Sequence, residues 1–324
     1  MRVLVLTAMY PTPARPAFGT FVREQVESLR NAGVEVEVMA FDGGRSFRNY
    51  LQAGRALRAR LKADHFDVIH AHYGLVGLPA CMQSRCPVVL TYHGSDILGE
   101  IGPDGRYTRA GRLKVLLSKA LGFVVAERII VAERLRTRLW SATLIPMGVD
   151  MKLFAPRPRK EARQALGLDP GRKYILFVAN PGNRCKRFDI AEAAVGILAA
   201  DEPDVELLPV YQVTHDRVPV YMNASNVLVM TSDHEASPCV VKEALASNLP
   251  VVSVDCGDVR ERLAGVDGSF ICERDPRDVA ARLREALRFD GTHDGRRHVE
   301  AISLENTARL TIAVYEKALR KRRS

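Results

Sequence analysis

Thr231-Ser-Asp-His-Glu-Ala-Ser-Pro-Cys-Val-Val-Lys-Glu-Ala-Leu-Ala-Ser-Asn-Leu-Pro-Val-Val-Ser-Val-Asp-Cys-Gly257 is the stretch whose reading decides the fold. The apolar run Val227 to Met230 leads into it and predicts a strand. A polar turn follows, then a helix from about Pro238 to Ser247, then a second strand from Val251 to Val254. Strand, helix and strand in that order predict a parallel sheet, with ligands taken in the crevice beyond the strands' C-terminal ends. Pro238 fits the first helical turn, where its missing N–H costs nothing. The free N–H groups of that turn make an anion seat. Glu235 precedes the seat and Glu243 lies one turn inside it. Carboxylates so placed can grip hydroxyls that flank a bound phosphate.

Two glutamates with seven residues between them mean little alone; one solvated loop residue and one solvated helix residue is the ordinary alternative. The surroundings favour the functional reading. Both acids sit beside the same strand end, and Val240, Val241, Ala244 and Leu245 form a buried stripe around Glu243.

The stretch resembles the donor-site motif of family 4 glycosyltransferases: Glu, seven residues, Glu, a short Ala-rich turn of helix, then a Pro-Val-Val strand. Here it reads Glu235, then Glu243-Ala-Leu-Ala-Ser-Asn-Leu-Pro-Val-Val252. Family members usually carry Gly after the first Glu. Ala236 stands there instead, and Ala tolerates a left-handed turn poorly.

Composition sets the bounds of a globular, soluble protein. A chain of 324 residues, 47% hydrophobic, is too long for one ordinary core and predicts two domains. The best apolar run, Val115 to Ala126, is broken by Ser118 and Lys119 and is too short for a membrane span. Residues 2–9 read as a first strand rather than a signal peptide, because a loop and a helix follow at once. The cysteines at 81, 86, 185, 239, 256 and 272 are scattered, as in a reduced cytoplasmic protein. The net charge of +9 has three readings. The plainest is an Arg-rich background with a phosphate site; a negatively charged membrane surface comes second. Nucleic acid comes last, since no recognition motif accompanies the charge.

Along the chain, β-strand and helix alternate. The strand at 1–9 runs into a Pro-rich loop ending in Gly19-Thr20; Thr20 is expected to cap a helix, Phe21 to Asn31, and Gly33 to close it. Gly19 is either a turn residue or a point where backbone approaches a pyrophosphate. Strands follow at 34–38, 67–72 and 87–92, with helices at 47–63 and 75–84 between them. The strand ending in Tyr92 runs into His93-Gly94-Ser95-Asp96. A His at a strand end beside Gly sits where ligands sit, and the quartet resembles the family's Thr-x-His-Gly-x-Asp element. His70 and His72 read as structural or cleft-lining. Between Asp104 and Glu127 there is no acid, and Leu113, Leu116, Leu117 and Leu121 share one side of a basic helix, 105–121. That helix suits an anionic bilayer or a leucine core equally.

The segment Ile145-Pro-Met-Gly-Val-Asp150 resembles the family's interdomain Ile-Pro-Asn-Gly-Val-Asp, with Met147 in place of Asn. In the second half, the loop Asn180-Pro-Gly-Asn-Arg-Cys-Lys-Arg187 packs three cations at a strand-to-helix turn, where anions bind. After the strand Val205 to Val210 the chain passes directly to His215 and a short helix, Val218 to Ala224. The family spends more residues there and builds part of its nucleobase pocket from them. No Asp-x-Asp occurs anywhere.

The resemblance covers nearly the whole chain. It implies an α/β protein of GT-B fold, two doubly wound Rossmann-like domains facing a central cleft. The expected limits are 1–150 for the acceptor side, 151–302 for the nucleotide-sugar side and 303–324 for a last helix packing back on the first domain. It implies a retaining, metal-independent transferase with a nucleotide-sugar donor as co-substrate and no cofactor. Lys186, with Arg184 or Arg187, and the helix start at Ser237, Pro238, Cys239 and Val240, through the N–H groups that it has, would offset charge on the leaving diphosphate. Glu243 would take the ribose hydroxyls, Glu235 the transferred sugar, and His93 and Asp96 the sugar or acceptor side. The acceptor would be a glycan or a lipid-linked molecule of cell-surface polysaccharide synthesis. A nucleotide-sugar epimerase of the same fold and a non-catalytic nucleotide-sugar-binding scaffold are the alternatives.

Overall fold

The computed structural model describes residues 1–15, 18–44, 46–99 and 108–323. The chain divides into two compact units: Met1–Gly148 with Leu304–Ser324, and Val149–Ser303. The division falls two residues before Asp150 for a local reason. Val149 already donates its N–H to the Ile302 carbonyl in the second unit, at 3.0 Å. Gly148 instead lies against Leu304 and Thr307 of the last helix.

In the first unit the strands are β1 (Arg2–Thr7), β2 (Glu35–Ala40), β3 (Val68–His72), β4 (Val88–Tyr92), β5 (Glu127–Ile130) and β6 (Thr143–Leu144). They form one sheet in the order β2-β1-β3-β4-β5-β6, and every pairing is parallel. β3 and β4 are buried at every position. Their apolar runs lack alternation because both faces are covered. The helix Thr20–Asn31 brings Val22, Val26 and Leu29 to this core, and the helix Leu304–Arg323 brings Ala308, Val314, Tyr315 and Ala318. Lys317 and Lys321, one turn apart, reach the buried carboxylate of Glu127 at 3.0 and 2.7 Å.

The second unit contains β7 (Lys173–Phe177), β8 (Val205–Pro209), β9 (Val227–Met230), β10 (Val251–Val254) and β11 (Phe270–Cys272). Their order is β11-β10-β9-β7-β8, again all parallel. The helices Phe188–Asp201, Cys239–Ala246 and Pro276–Arg288 pack Ala191, Val241 and Leu283 into its core. Each sheet therefore has a point where the strand order reverses, between β1 and β3 and between β7 and β9. Connections leave such a point in opposite directions and open a crevice at the strands' C-terminal ends.

Local expectations shift in four places. Thr20 starts its helix rather than capping it; Gly19 is the N-cap, at φ 78°. A Cβ there would lie 2.6 Å from the Met9 backbone, so only glycine fits. The helix expected over 75–84 is a 3-10 turn, Gly74–Val76, and a short helix, Gly77–Cys81. Pro79 has no N–H to give a helix begun earlier. Pro238 caps the helix Cys239–Ala246 from outside instead of lying in its first turn. The basic helix expected over 105–121 is Arg109–Leu121, capped by the Thr108 side chain on the Gly111 N–H; residues 105–107 lie outside the described residues. Leu113, Leu116 and Leu117 on it are exposed, so they do not supply a core.

Candidate active site

The crevice between β7 and β9 brings together the loops that follow these strands. Thr231, fully buried, directs its hydroxyl at the carbonyls of Lys186 and Arg187, at 3.0 and 2.8 Å. The Asp233 N–H donates to the Cys185 carbonyl at 2.8 Å. These stitches hold the loops side by side, and Lys186 Nζ meets Glu235 Oε1 at 2.5 Å. The pair stands before the helix Cys239–Ala246, whose N-terminus no side chain caps. Its first N–H groups have no intrahelical acceptor. A cation, the N–H groups of a helix start and a carboxylate thus converge at one strand end: the first two suit an anion, the last a hydroxyl.

The other loop cations divide. Arg187 is committed: Nη2 lies 2.8 Å from Asp189 and Nη1 3.4 Å from Asp233. The hydrogen bond it donates to Asp189, then the charges of both acids, raise its pKa above the usual guanidinium value. Arg184 is exposed in the turn Arg184–Lys186, with no ion pair among the described residues. Ala236 does not have a positive φ, so replacement of the family's Gly leaves no strain. The close approach is met across the loop by Gly257, φ 71°, where a Cβ would stand 2.9 Å from the Ala236 carbonyl oxygen.

The side chain of Ser237 turns inward. Its hydroxyl donates to Asp258 Oδ2 at 2.9 Å and accepts from Lys242 Nζ at 3.0 Å. Lys242 has no exposed surface, and Asp258 also faces Arg262 at 3.3 Å. Ser237 can offer a ligand backbone only. Glu243 lies deeper on the same helix, nearly buried, and its Oε1 is 3.0 Å from His215 Nε2. The His215 ring packs against Phe154, centroids 5.2 Å apart.

In the first unit, His93 follows β4. Its Nε2 is 3.1 Å from His72 Nδ1, and its ring leans on Phe21 and Tyr73. Burial holds His72 neutral, its pKa lowered to about 3. Burial, then the neighbouring His72, lowers that of His93 as well. His70 is structural, bonded to Tyr315 Oη at 2.6 Å and Thr91 Oγ1 at 2.7 Å. Asp96 is taken up by the backbone: its carboxylate accepts N–H groups of Gly74, His93 and Gly94. Burial pushes its carboxyl above the ordinary value despite those bonds. It shapes the His93 turn instead of facing a ligand freely. Gly19 lies where the loop after β1 returns against Met9. Beside these residues is a cavity of about 410 Å³ lined by Met9, Phe18, Tyr50, Tyr73 and Lys114 among others.

Sequence reasoning missed His215, Lys242, Asp258 and Tyr73. Tyr73 has φ 75°, unfavourable for a side chain with Cβ, at the end of β3 beside His93. Lys242 had a signal: a lysine inside an otherwise apolar helical stripe.

Two family models match the chain: Glycosyltransferase Family 4 over residues 18–153 and Glycosyl transferases group 1 over residues 182–288. A putative teichuronic acid biosynthesis glycosyltransferase of Bacillus subtilis is 23% identical, the match covering 80% of this chain and 82% of that protein. Among solved structures, sucrose-phosphate synthase from Thermosynechococcus elongatus superposes with a TM-score of 0.79 at 19% identity, covering 98% of this chain and 99% of the other. HepE of Anabaena in complex with UDP gives 0.70 at 14% identity, covering 98% and 100%. The parallel sheets, their loop-borne charges and these matches agree, and the chain belongs to the family 4, group 1 glycosyltransferases, enzymes of GT-B fold.

Proposed function

We propose that this glycosyltransferase moves a sugar from a nucleoside diphosphate sugar to a hydroxyl of a glycan or lipid-linked acceptor, with retention at the anomeric carbon and without a metal ion. The observation that carries the reading is the Lys186–Glu235 pair at an uncapped helix N-terminus, with Glu243 behind it. Lys186, Arg184 and the N–H groups of Cys239 and Val240 offset the negative charge that grows on the leaving diphosphate. Glu235 orients the transferred sugar, and Glu243 takes the ribose diol. The acceptor oxygen attacks the anomeric carbon from the side on which the carbon–oxygen bond to the diphosphate breaks. Its proton passes to the departing phosphate. His93, neutral and shielded by Phe21 and Tyr73, orients hydroxyls on the acceptor side.

The setting is cell-surface polysaccharide synthesis, in keeping with the teichuronic acid relative. Peripheral association with an anionic membrane belongs to the same reading. Among the described residues no helix is long and apolar enough to cross a bilayer. The helix Arg109–Leu121 carries Leu113, Leu116 and Leu117 at 58, 65 and 41% exposure, next to Phe123 and Val124. Arg109 and Arg112 flank them.

Thermal unfolding with UDP, GDP, ADP and their sugar conjugates tests the donor class, because a ligand of the folded state raises its stability. One nucleotide series is expected to raise Tm in EDTA, and Glu243→Ala to abolish the rise. No stabilisation by any of them would sink the proposal. Proton NMR of the product then reads the anomeric configuration.

A further inference from the structure

We infer that His215 is a positioning residue for the donor nucleoside, holding Glu243 in the orientation that reads the ribose diol. The inference rests on the role proposed for Glu243 and adds a residue and a selectivity to it.

The connection from β8 to β9 is short. After Pro209 the chain makes a tight turn, with Gln212 at φ 58°, and enters a 3-10 turn, His215–Arg217, that leads straight into the helix Val218–Ala224. The compaction puts the first residue of that turn against the helix Cys239–Ala246. His215 Nε2 stands 3.0 Å from Glu243 Oε1, and both side chains are largely withdrawn from water, 16 and 11% exposed. Phe154, fully buried, backs the imidazole. A carboxylate that is nearly buried needs a donor, or it loses its charge or swings towards water. Nε2–H supplies one to Oε1. With that oxygen engaged, the carboxylate plane is fixed, and Oε2 is the oxygen oriented for a hydroxyl from the ligand. The relation is that of an oriented ligating group to the partner that fixes it.

This predicts a particular selectivity. Cutting the imidazole weakens binding of a ribonucleotide, which has the diol, far more than that of its 2′-deoxy counterpart. A purely structural histidine would weaken both alike. Isothermal titration calorimetry with UDP, GDP and ADP and their 2′-deoxy forms measures it on the full chain. The wild type is expected to favour the ribose form of its nucleotide by about tenfold or more, the scale of one hydrogen bond to a charged group. In His215→Ala that ratio falls to within about threefold, with ribonucleotide affinity down about tenfold. His215→Gln, whose amide can still donate, recovers most of the ratio. An unchanged ratio in His215→Ala would overturn the inference, as would a loss equal for both forms. If the wild type shows no ribose preference, or Glu243→Gln leaves the preference intact, the ribose role of Glu243 itself fails, whatever His215 does. The ratio is internal to each variant, so a partly unfolded preparation does not disturb it.

Discussion

Replacing Lys186 by Ala tests the charge arrangement most directly, because its effects on stability and on binding are expected to differ widely. Lys186 pairs with Glu235 at 2.5 Å, with 33% of its side chain exposed and 18% of that of Glu235. A pair so open to water contributes about 0.2–1 kcal/mol to folding. For a chain of this size that moves Tm by no more than about 4 °C. Against a diphosphate the same ammonium makes a charge-assisted hydrogen bond worth about 1.5–3 kcal/mol, or roughly ten- to hundredfold in affinity. Against the charge of the departing group its loss should cost about 10²–10³ in turnover, as for a donor removed from an oxyanion site. Calorimetry with the nucleoside diphosphate and the bare nucleoside separates these quantities. Lys186→Ala should lose the diphosphate's advantage and bind the nucleoside as the wild type does. Hydrolysis of the sugar nucleotide, which needs no added acceptor, reads turnover. An unchanged diphosphate-to-nucleoside ratio would refute the reasoning. So would a large fall in Tm, which would make Lys186 part of the scaffold.

Burial raises the Glu127 pKa, and the bonds from Lys321 and Lys317 more than offset it, so the net shift is downward. The stability this gives is present above the unfolded carboxylate range and lost as pH falls through the folded value. The double variant Lys317→Ala with Lys321→Ala leaves a buried unpaired charge and should lose about 3–5 kcal/mol at neutral pH; urea denaturation should show the deficit shrinking towards pH 4, and a deficit independent of pH would contradict this. Gly19→Ala forces a Cβ to within 2.6 Å of the Met9 backbone at φ 78°. A loss of at least about 2 kcal/mol is expected from the denaturation midpoint, and a neutral result would mean the loop relaxes freely. The protein should sediment with anionic vesicles and not with neutral ones, less so in high salt. Leu113→Glu with Leu116→Glu should abolish it; undiminished binding would exclude this helix as the contact.

Strand and helix order were legible because burial imposes patterns that a sequence carries locally: Val68 to Ala71 and Val251 to Val254 are short runs rich in β-branched residues, bounded by turn residues, as covered strands are. The Glu235 and Glu243 loop was legible because helix-start chemistry and a strand end lie within one short stretch. What escaped reading depends on where distant segments meet. Nothing near Lys242 in sequence names Asp258 as the acid that Ser237 bridges to it. Nothing near Glu243 names His215. The different surroundings of Arg184 and Arg187 were likewise out of reach, because Arg187 pairs with Asp189 and Asp233, of which only the first is a sequence neighbour. Asp96 shows a different limit: a carboxylate at a strand end suits a ligand or a turn equally, and the three N–H groups that it accepts are brought to it only by the fold.

The Lys186–Glu235 pair also explains how a crevice can keep strong charges ready before a substrate arrives. Each side chain keeps part of its hydration here, and a paired ammonium and carboxylate need less of it than lone ones. Each therefore neutralises the other until the donor brings its own anion and hydroxyls. In the proposed binding mode one ion pair is exchanged for two contacts, ammonium to phosphate and carboxylate to sugar. The exchange is complete only with both groups of the ligand present. Free diphosphate frees Glu235 without giving it a hydroxyl, and a free sugar does the reverse to Lys186. The intact sugar nucleotide is thereby favoured over the sum of its parts, which is the discrimination a transferase needs between its donor and the nucleotide it releases.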